Sequence, residues 1–318
     1  MNQLAFIFPG QASQYAGMGR DLARNFPEAR TVFDEMDVVL NFPLSALCFD
    51  GPEDELKLTE NAQPAILAVS VAAFRVLEVR GVLPNCVAGH SLGEYSALVA
   101  AGALDFALAV RLVRERGRYM QEAVPLGEGA MAAIMGLAPA EVIDICHRAS
   151  NGALVSPANL NSPAQTVISG NAAAVKRAVE LASQNGAKRA VMLPVSAPFH
   201  CGLMGPAQDR LEKDLMETPF ADLRFPLITN VDAEEITTGD EARHALIRQV
   251  SLPVRWEDSI REMLALGVTT FVEVGPGKVL SGLLRQIERS VHCFNVEDSP
   301  SLNVALGKLA QSRQETEA

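Results

Sequence analysis

Five residues carry the first chemical signal: Gly89-His90-Ser91-Leu92-Gly93, placed between the apolar run Cys86–Gly89 and a helical run. A G-x-S-x-G pattern in that setting is a nucleophile elbow. The small glycines let strand and helix approach around a sharp turn, and the serine hydroxyl is held strained and exposed. The main-chain N–H of Leu92 then opens a helix, where it can stabilise an oxyanion. The competing reading of the same five residues is a tight strand–helix turn with an inert serine.

The second signal is Arg116. Asp105 to Ala123 reads as a helix, with Leu108, Ala109, Leu112, Val113, Tyr119 and Met120 on one arc at about 100° per residue. Arg116 falls inside that arc, while Arg111, Arg114, Glu115, Arg118 and Glu122 fall opposite. A guanidinium facing a core needs an anionic or hydrogen-bonding partner, because an unpaired buried charge is very costly. The partner is either an internal carboxylate such as Glu94 or a carboxylate on a bound substrate, gripped in two-pronged fashion. The helix alone does not choose between them.

The elements that must position these groups read as α/β. Candidate strands of a largely parallel sheet are Leu4–Phe8, Cys86–Gly89, Phe225–Thr229, Phe271–Val274 and His292–Val296, with helices such as Gln63–Val79 between them. From about Gly129 the pattern changes. Strand Ala130–Met135, helix Ala140–Ala149, strands Leu154–Ala158 and Thr166–Ser169, a helix capped by Asn171 and strand Ala190–Leu193 form a βαββαβ order. We expect residues 128–195 to be a small ferredoxin-like domain inserted into a large catalytic domain of residues 1–127 and 196–318. The polar end, Gln311–Ala318, is expected to fray.

Composition narrows the function classes. The chain has 318 residues, a net charge of −11, 48% hydrophobic and 20% charged residues, which suits a soluble enzyme with a sizeable core. Its acidity argues against nucleic acid. Five scattered cysteines without a CxxC pair suggest reduced thiols in the cytoplasm and no structural metal. Leu4–Phe8 is too short for a signal peptide. We expect no membrane span, since no stretch offers a run of about 18 apolar residues.

Several further segments, in order, complete the picture: Phe8-Pro-Gly-Gln-Ala-Ser-Gln14 with Gly17-Met-Gly19, Gln63-Pro-Ala-Ile66, Gly89 to Glu94, Arg116-Gly117 with Met120-Gln121, Asn159-Leu-Asn-Ser-Pro163, Pro198-Phe-His200, Gln249 with Pro253-Val254, and Glu273 to Lys278. Together they resemble the malonyl-coenzyme A:acyl carrier protein transacylases of fatty acid synthesis, relatives of polyketide acyltransferase domains. The resemblance covers nearly the whole chain. It implies an α/β-hydrolase-like large domain with a ferredoxin-like insertion, in agreement with the pattern above. Two positions depart from the family's usual residues: Ala12 stands where Gly is usual, and Phe199 where bacterial fatty-acid enzymes often have Ser and malonyl-preferring polyketide enzymes often have Phe.

The resemblance also implies roles. Ser91 is the nucleophile and His200 its base; the main-chain carbonyl of Gln249 orients that base in place of a carboxylate. Gln11 and Leu92 supply the oxyanion N–H groups. Arg116 binds the malonyl carboxylate. Asn159 and Asn161 either touch coenzyme A or the cleft, or satisfy turn backbone. The expected partners are malonyl-coenzyme A and acyl carrier protein, with no cofactor, no metal and a monomeric chain. Carrier proteins are acidic, so Lys188-Arg189 is the candidate basic dock. The alternatives are a stand-alone polyketide or malonate-decarboxylase malonyltransferase and, from another class, a serine esterase or thioesterase.

Overall fold

Apolar runs flanked by turn residues give two separate sheets. The computed structural model describes residues 3–195 and 197–317, with side chains as far as residue 311. The strands are β1 (Gln3–Phe8), β2 (Cys86–Gly89), β3 (Gly129–Met135), β4 (Val155–Ser162), β5 (Gln165–Asn171), β6 (Arg189–Met192), β7 (Leu227–Ile228), β8 (Glu235–Ile236), β9 (Val268–Val274) and β10 (His292–Val296). The large sheet runs β10-β9-β1-β2-β7-β8, parallel throughout except for the antiparallel β7/β8 pair. Its central strands are almost entirely buried, as a sheet covered by helices on both faces requires. Ala5 to Phe8 pair in register with Cys86 to Gly89, so β1 and β2 end at the same edge. In open parallel sheets the carboxyl edge of the strands is where ligands bind.

The small sheet, β4-β5-β3-β6, is antiparallel throughout. This is the expected βαββαβ unit, with helices Pro139–Ser150 and Ala172–Gln184 on one face. Period-two alternation explains how it docks. Ala130, Ala132 and Ile134 face those helices, whereas Met131 and Ala133 join the core of the large sheet. The inserted unit therefore roofs the region beyond the carboxyl ends of β1 and β2. Its strand β4 is also stitched to the chain after Gln249, through Leu160 N–H to Val254 O (2.9 Å) and Val254 N–H to Ala158 O (2.9 Å). The expected return to the large domain at residue 196 falls on a position outside the described residues.

Several expectations need correction. The strand expected at Phe225–Thr229 is only Leu227–Ile228, because Pro226 has no N–H to donate. An unexpected strand, Glu235–Ile236, returns beside it. β4 continues past Pro157 to Ser162 with two register shifts, so Asn159 and Asn161 lie in a strand rather than a turn. Asn171 sits at the helix start, but its side chain accepts from Leu154 N–H instead of capping. The helix expected at Gln63–Val79 starts at Thr59. By length and composition it is apolar enough to cross a membrane, contrary to expectation, yet 83% of that window is buried inside the fold. It is the central core helix, packed between helices Pro27–Leu40 and Phe106–Glu122. Gly117 permits that last contact, since a Cβ there would meet Thr59 O at 2.7 Å. The tail is helical through Glu317, and Ala318 lies outside the described residues.

Candidate active site

The elbow forms where β2 runs into helix Leu92–Ala100. Ser91 joins them at φ 52°, ψ −106°, a backbone conformation disfavoured for any residue with a side chain. The turn needs its glycines: a Cβ on Gly93 would lie 2.0 Å from Phe8 O, and one on Gly89 1.9 Å from the backbone of Gly93. Two amide side chains hold the strained residue. Ser91 N–H donates to Asn230 Oδ1 (2.7 Å), while Gln249 Nε2 donates to Ser91 O (2.9 Å). Asn230 Nδ2 in turn donates to Gly89 O (2.6 Å).

His200 meets Ser91 from a loop after the small sheet. Its Nε2 is 2.7 Å from Ser91 Oγ, and its Nδ1 is 2.8 Å from Gln249 O. A carbonyl only accepts, so Nδ1 carries the proton and the Nε2 lone pair faces the serine hydroxyl. His200 too has a positive φ, 57°. Burial, then the Arg116 charge and His90, push its pKa down to about 3, against the pull of the Gln249 carbonyl. The imidazole is therefore a neutral acceptor at any ordinary pH.

Arg116 is 1% exposed, as the arc of its helix predicts. Its Nη1 donates to Gln63 Oε1 (2.7 Å); its Nη2 donates to Gln249 Oε1 (2.9 Å) and to Ser91 Oγ (3.1 Å). The ring of Tyr95 lies 5.5 Å from the guanidinium carbon. Glu94 is not its direct partner. The Gln249 amide stands between them, accepting from Arg116 and donating to Glu94 Oε2 (2.9 Å). The cation is thus held by two neutral amide oxygens, next to Ser91, with no carboxylate among the described residues in direct contact with it.

Ser91, His200 and Arg116 line one cavity of about 130 Å³, together with Gln11, Leu92 and Asn159. Met120, Met131, Leu193, Val195 and Phe199 supply apolar walls. Leu92 is the first residue of its helix and Gln11 follows β1, so both main-chain N–H groups lie at the shared carboxyl edge; among the described residues neither has a hydrogen-bond partner. Ala12, at the position where Gly is usual in the family, has φ 81°. A wider groove of about 460 Å³ shares Gln11 and Val195 with the cavity and opens past Lys57 and Leu126. Asn161, read as a contact to coenzyme A or the cleft or as satisfying turn backbone, does not line this cavity. Its amide is used by His90 Nε2 (2.9 Å) and Gln165 Oε1 (3.3 Å), which ties the small sheet to the elbow.

One contributor escapes the sequence reading, and two others act through side chains to which it gave no role. Asn230 follows β7 at the same carboxyl edge, and a polar residue directly after an apolar strand is the signal that could have found it. Gln63 shows itself only as part of a longer motif; its Nε2 turns to Met120 Sδ (3.7 Å), which leaves Oε1 for Arg116. Gln249 was expected to act through its main chain, but its side chain is equally engaged. It is fully buried.

Residues 5–315 match the family model described as acyl transferase domain. The chain is 48% identical to the malonyl CoA-acyl carrier protein transacylase of Bacillus subtilis strain 168, over 98% of each chain. It is 48% identical to the enzyme of that name from Escherichia coli K12, over 96% of this chain and 99% of the other. Among solved structures, the malonyl CoA-acyl carrier protein transacylase of Coxiella burnetii superposes with a TM-score of 0.95 at 45% identity, covering 97% of this chain and 98% of that one. A malonyl-transacylase solved in complex with its type II polyketide acyl-carrier protein gives 0.94 at 46% identity, covering 96% of this chain and all of that one.

Proposed function

The chain belongs to the acyl transferase domain family, and from that premise we propose that it transfers a malonyl group from malonyl-coenzyme A to the phosphopantetheine thiol of an acyl carrier protein through a malonyl-Ser91 ester. One observation carries the choice of acyl group: a fully buried guanidinium, 3.1 Å from the Ser91 hydroxyl, held by amide oxygens and by no carboxylate. Such a charge calls for an anion from outside, and a short acyl group ending in a carboxylate supplies it.

The steps follow from the geometry. Ser91 Oγ attacks the thioester carbonyl as its proton passes to His200 Nε2. The N–H groups of Leu92 and Gln11 receive the oxyanion. The carbon–sulfur bond breaks, and His200 returns the proton to the departing coenzyme A thiolate. The carrier's thiol then gives its proton to His200 and attacks the ester, and the Ser91 oxygen takes the proton back. This is a ping-pong exchange. The malonyl carboxylate has a second effect. By pairing with Arg116 it offsets the Arg116 charge, which after burial is the next cause that depresses His200. All five cysteines are free, which fits the cytoplasm.

The esterase and thioesterase readings fit less well, because His200 is oriented by a carbonyl, not a carboxylate. Incubation with malonyl-coenzyme A and no acceptor tests the proposal. The protein should gain one malonyl group, mapped to Ser91, that persists in water and leaves when a holo carrier protein is added. Label elsewhere, or an adduct that hydrolyses as fast without the carrier, would contradict it.

A further inference from the structure

Glu94 lies one helical turn after the nucleophile, is 0% exposed, and touches neither the cavity nor any reacting atom. Its Oε2 accepts from Asn230 N–H (3.1 Å) and from Gln249 Nε2 (2.9 Å). Those two residues come from different elements, the turn after β7 and the last turn of helix Gly239–Gln249, and both also grip the main chain of Ser91. Gln249 has three tasks at once. Its main-chain carbonyl holds His200, its Oε1 holds Arg116, and its Nε2 is shared between Ser91 O and Glu94. An amide that bridges a donor-only guanidinium and the accepting Oε2 of Glu94 has one satisfied orientation.

We propose that Glu94 is a positioning residue which, by anchoring Gln249 and Asn230, sets Ser91, His200 and Arg116 in register. This inference rests on the reading of the cleft as a malonyl-transfer site. Without the carboxylate, the Gln249 amide end keeps the Ser91 carbonyl (2.9 Å) and a long contact to Asn230 Oδ1 (3.5 Å), and Asn230 has itself lost the acceptor of its N–H. Its oxygen then holds the guanidinium loosely, and the two-pronged grip on a substrate carboxylate is lost along with the serine–histidine alignment. A purely structural glutamate would affect folding but leave the choice between acyl groups untouched.

The test is single-turnover acylation of Ser91 by malonyl- and acetyl-coenzyme A in wild type, Glu94→Met, Glu94→Gln and Glu94→Asp, with folding followed by circular dichroism. Met keeps the shape but has no strong acceptor; malonyl acylation should slow at least about 30-fold and the malonyl-to-acetyl preference should fall at least about fivefold, since small misplacements of reacting groups are magnified in rate. Gln keeps one acceptor oxygen and should recover most of both. A folded Glu94→Met enzyme with wild-type preference overturns the inference. Should Met prevent folding, Glu94→Asp decides: its carboxylate is retracted by one methylene, so a reduced preference supports the anchor and an unchanged one overturns it. Wild type that never forms a malonyl-Ser91 ester would overturn the proposed function itself, whereas normal wild-type acylation with insensitive Glu94 variants overturns this inference alone.

Discussion

At the scale of single residues, the site concentrates strain and unusual charge. Ser91, His200 and Ala12 are three of the six non-glycine residues with positive φ among the described residues. Strain of that kind persists only where surrounding structure over-determines it. Replacing Ser91 removes the proposed nucleophile in any case, but Ser91→Gly should be more stable than Ser91→Ala by about 1 kcal/mol, because glycine alone adopts φ 52°, ψ −106° freely. Urea denaturation of the two variants measures this, and equal midpoints would contradict it. His200 offers a second check. With its pKa pushed down to about 3, nitrogen-15 spectra at pH 5 should show a neutral ring protonated on Nδ1. A titration midpoint near the ordinary histidine value would contradict the environment described. The shift also bears on stability. An unfolded chain protonates this histidine near pH 6.5 while the folded one does not, so its contribution is whole above that pH and is lost as pH falls toward 3. Glu94, raised to about 7 by burial, acts in the opposite sense: its contribution is whole below the ordinary carboxylate range and is lost as pH rises through 7.

At the scale of elements, the elbow depends on how closely helix Leu92–Ala100 approaches β1. A methyl on Gly93 would collide with Phe8 O, which is backbone and cannot swing away. Gly93→Ala should therefore destabilise the protein by about 2 kcal/mol or more and displace the Leu92 N–H. Denaturation together with the acylation rate would measure both, and a neutral Gly93→Ala would mean that strand and helix are not in the contact described. This contact is legible in the sequence, since the glycine spacing announces it. So are β2, whose apolar run is sharply bounded, and the βαββαβ unit, whose periods switch between two and 3.6. Arg116 is legible because helical periodicity places it among apolar neighbours. The short pair β7/β8 is not, because two-residue strands carry no period. The roles of Asn230, Gln63 and the Gln249 side chain are also hidden: each is a neutral amide whose partners lie tens to more than a hundred positions away, and only the tertiary fold brings them together. Asn161 shows the converse, a polar residue beside the cleft whose amide serves His90 and the joint between sheets.

At the scale of the whole molecule, an enzyme of net charge −11 must still receive an acidic carrier. Lys188 and Arg189 stand exposed where β6 begins, and the chain runs from there through Leu193 and Val195 into the cavity wall. Reversing both charges should raise KM for the carrier several-fold and make it less sensitive to salt, with acylation by malonyl-coenzyme A unchanged; carrier kinetics that stay the same would place the dock elsewhere. The central claim concerns what the assembled cleft selects. Arg116→Ala removes the cation that contacts Ser91 and leaves a malonyl carboxylate without that partner in a poorly solvated pocket. The loss should be about 2–3 kcal/mol, or roughly 30- to 150-fold in kcat/KM for malonyl-coenzyme A. Acetyl-coenzyme A has no carboxylate to pair, so its use should not fall in parallel, and Arg116→Lys should restore malonyl transfer only in part. The most direct measurement is the malonyl-to-acetyl ratio of kcat/KM in wild type and in folded Arg116→Ala. The account predicts a fall of at least about tenfold in that ratio; the same ratio in both proteins would make Arg116 a structural arginine and contradict the account.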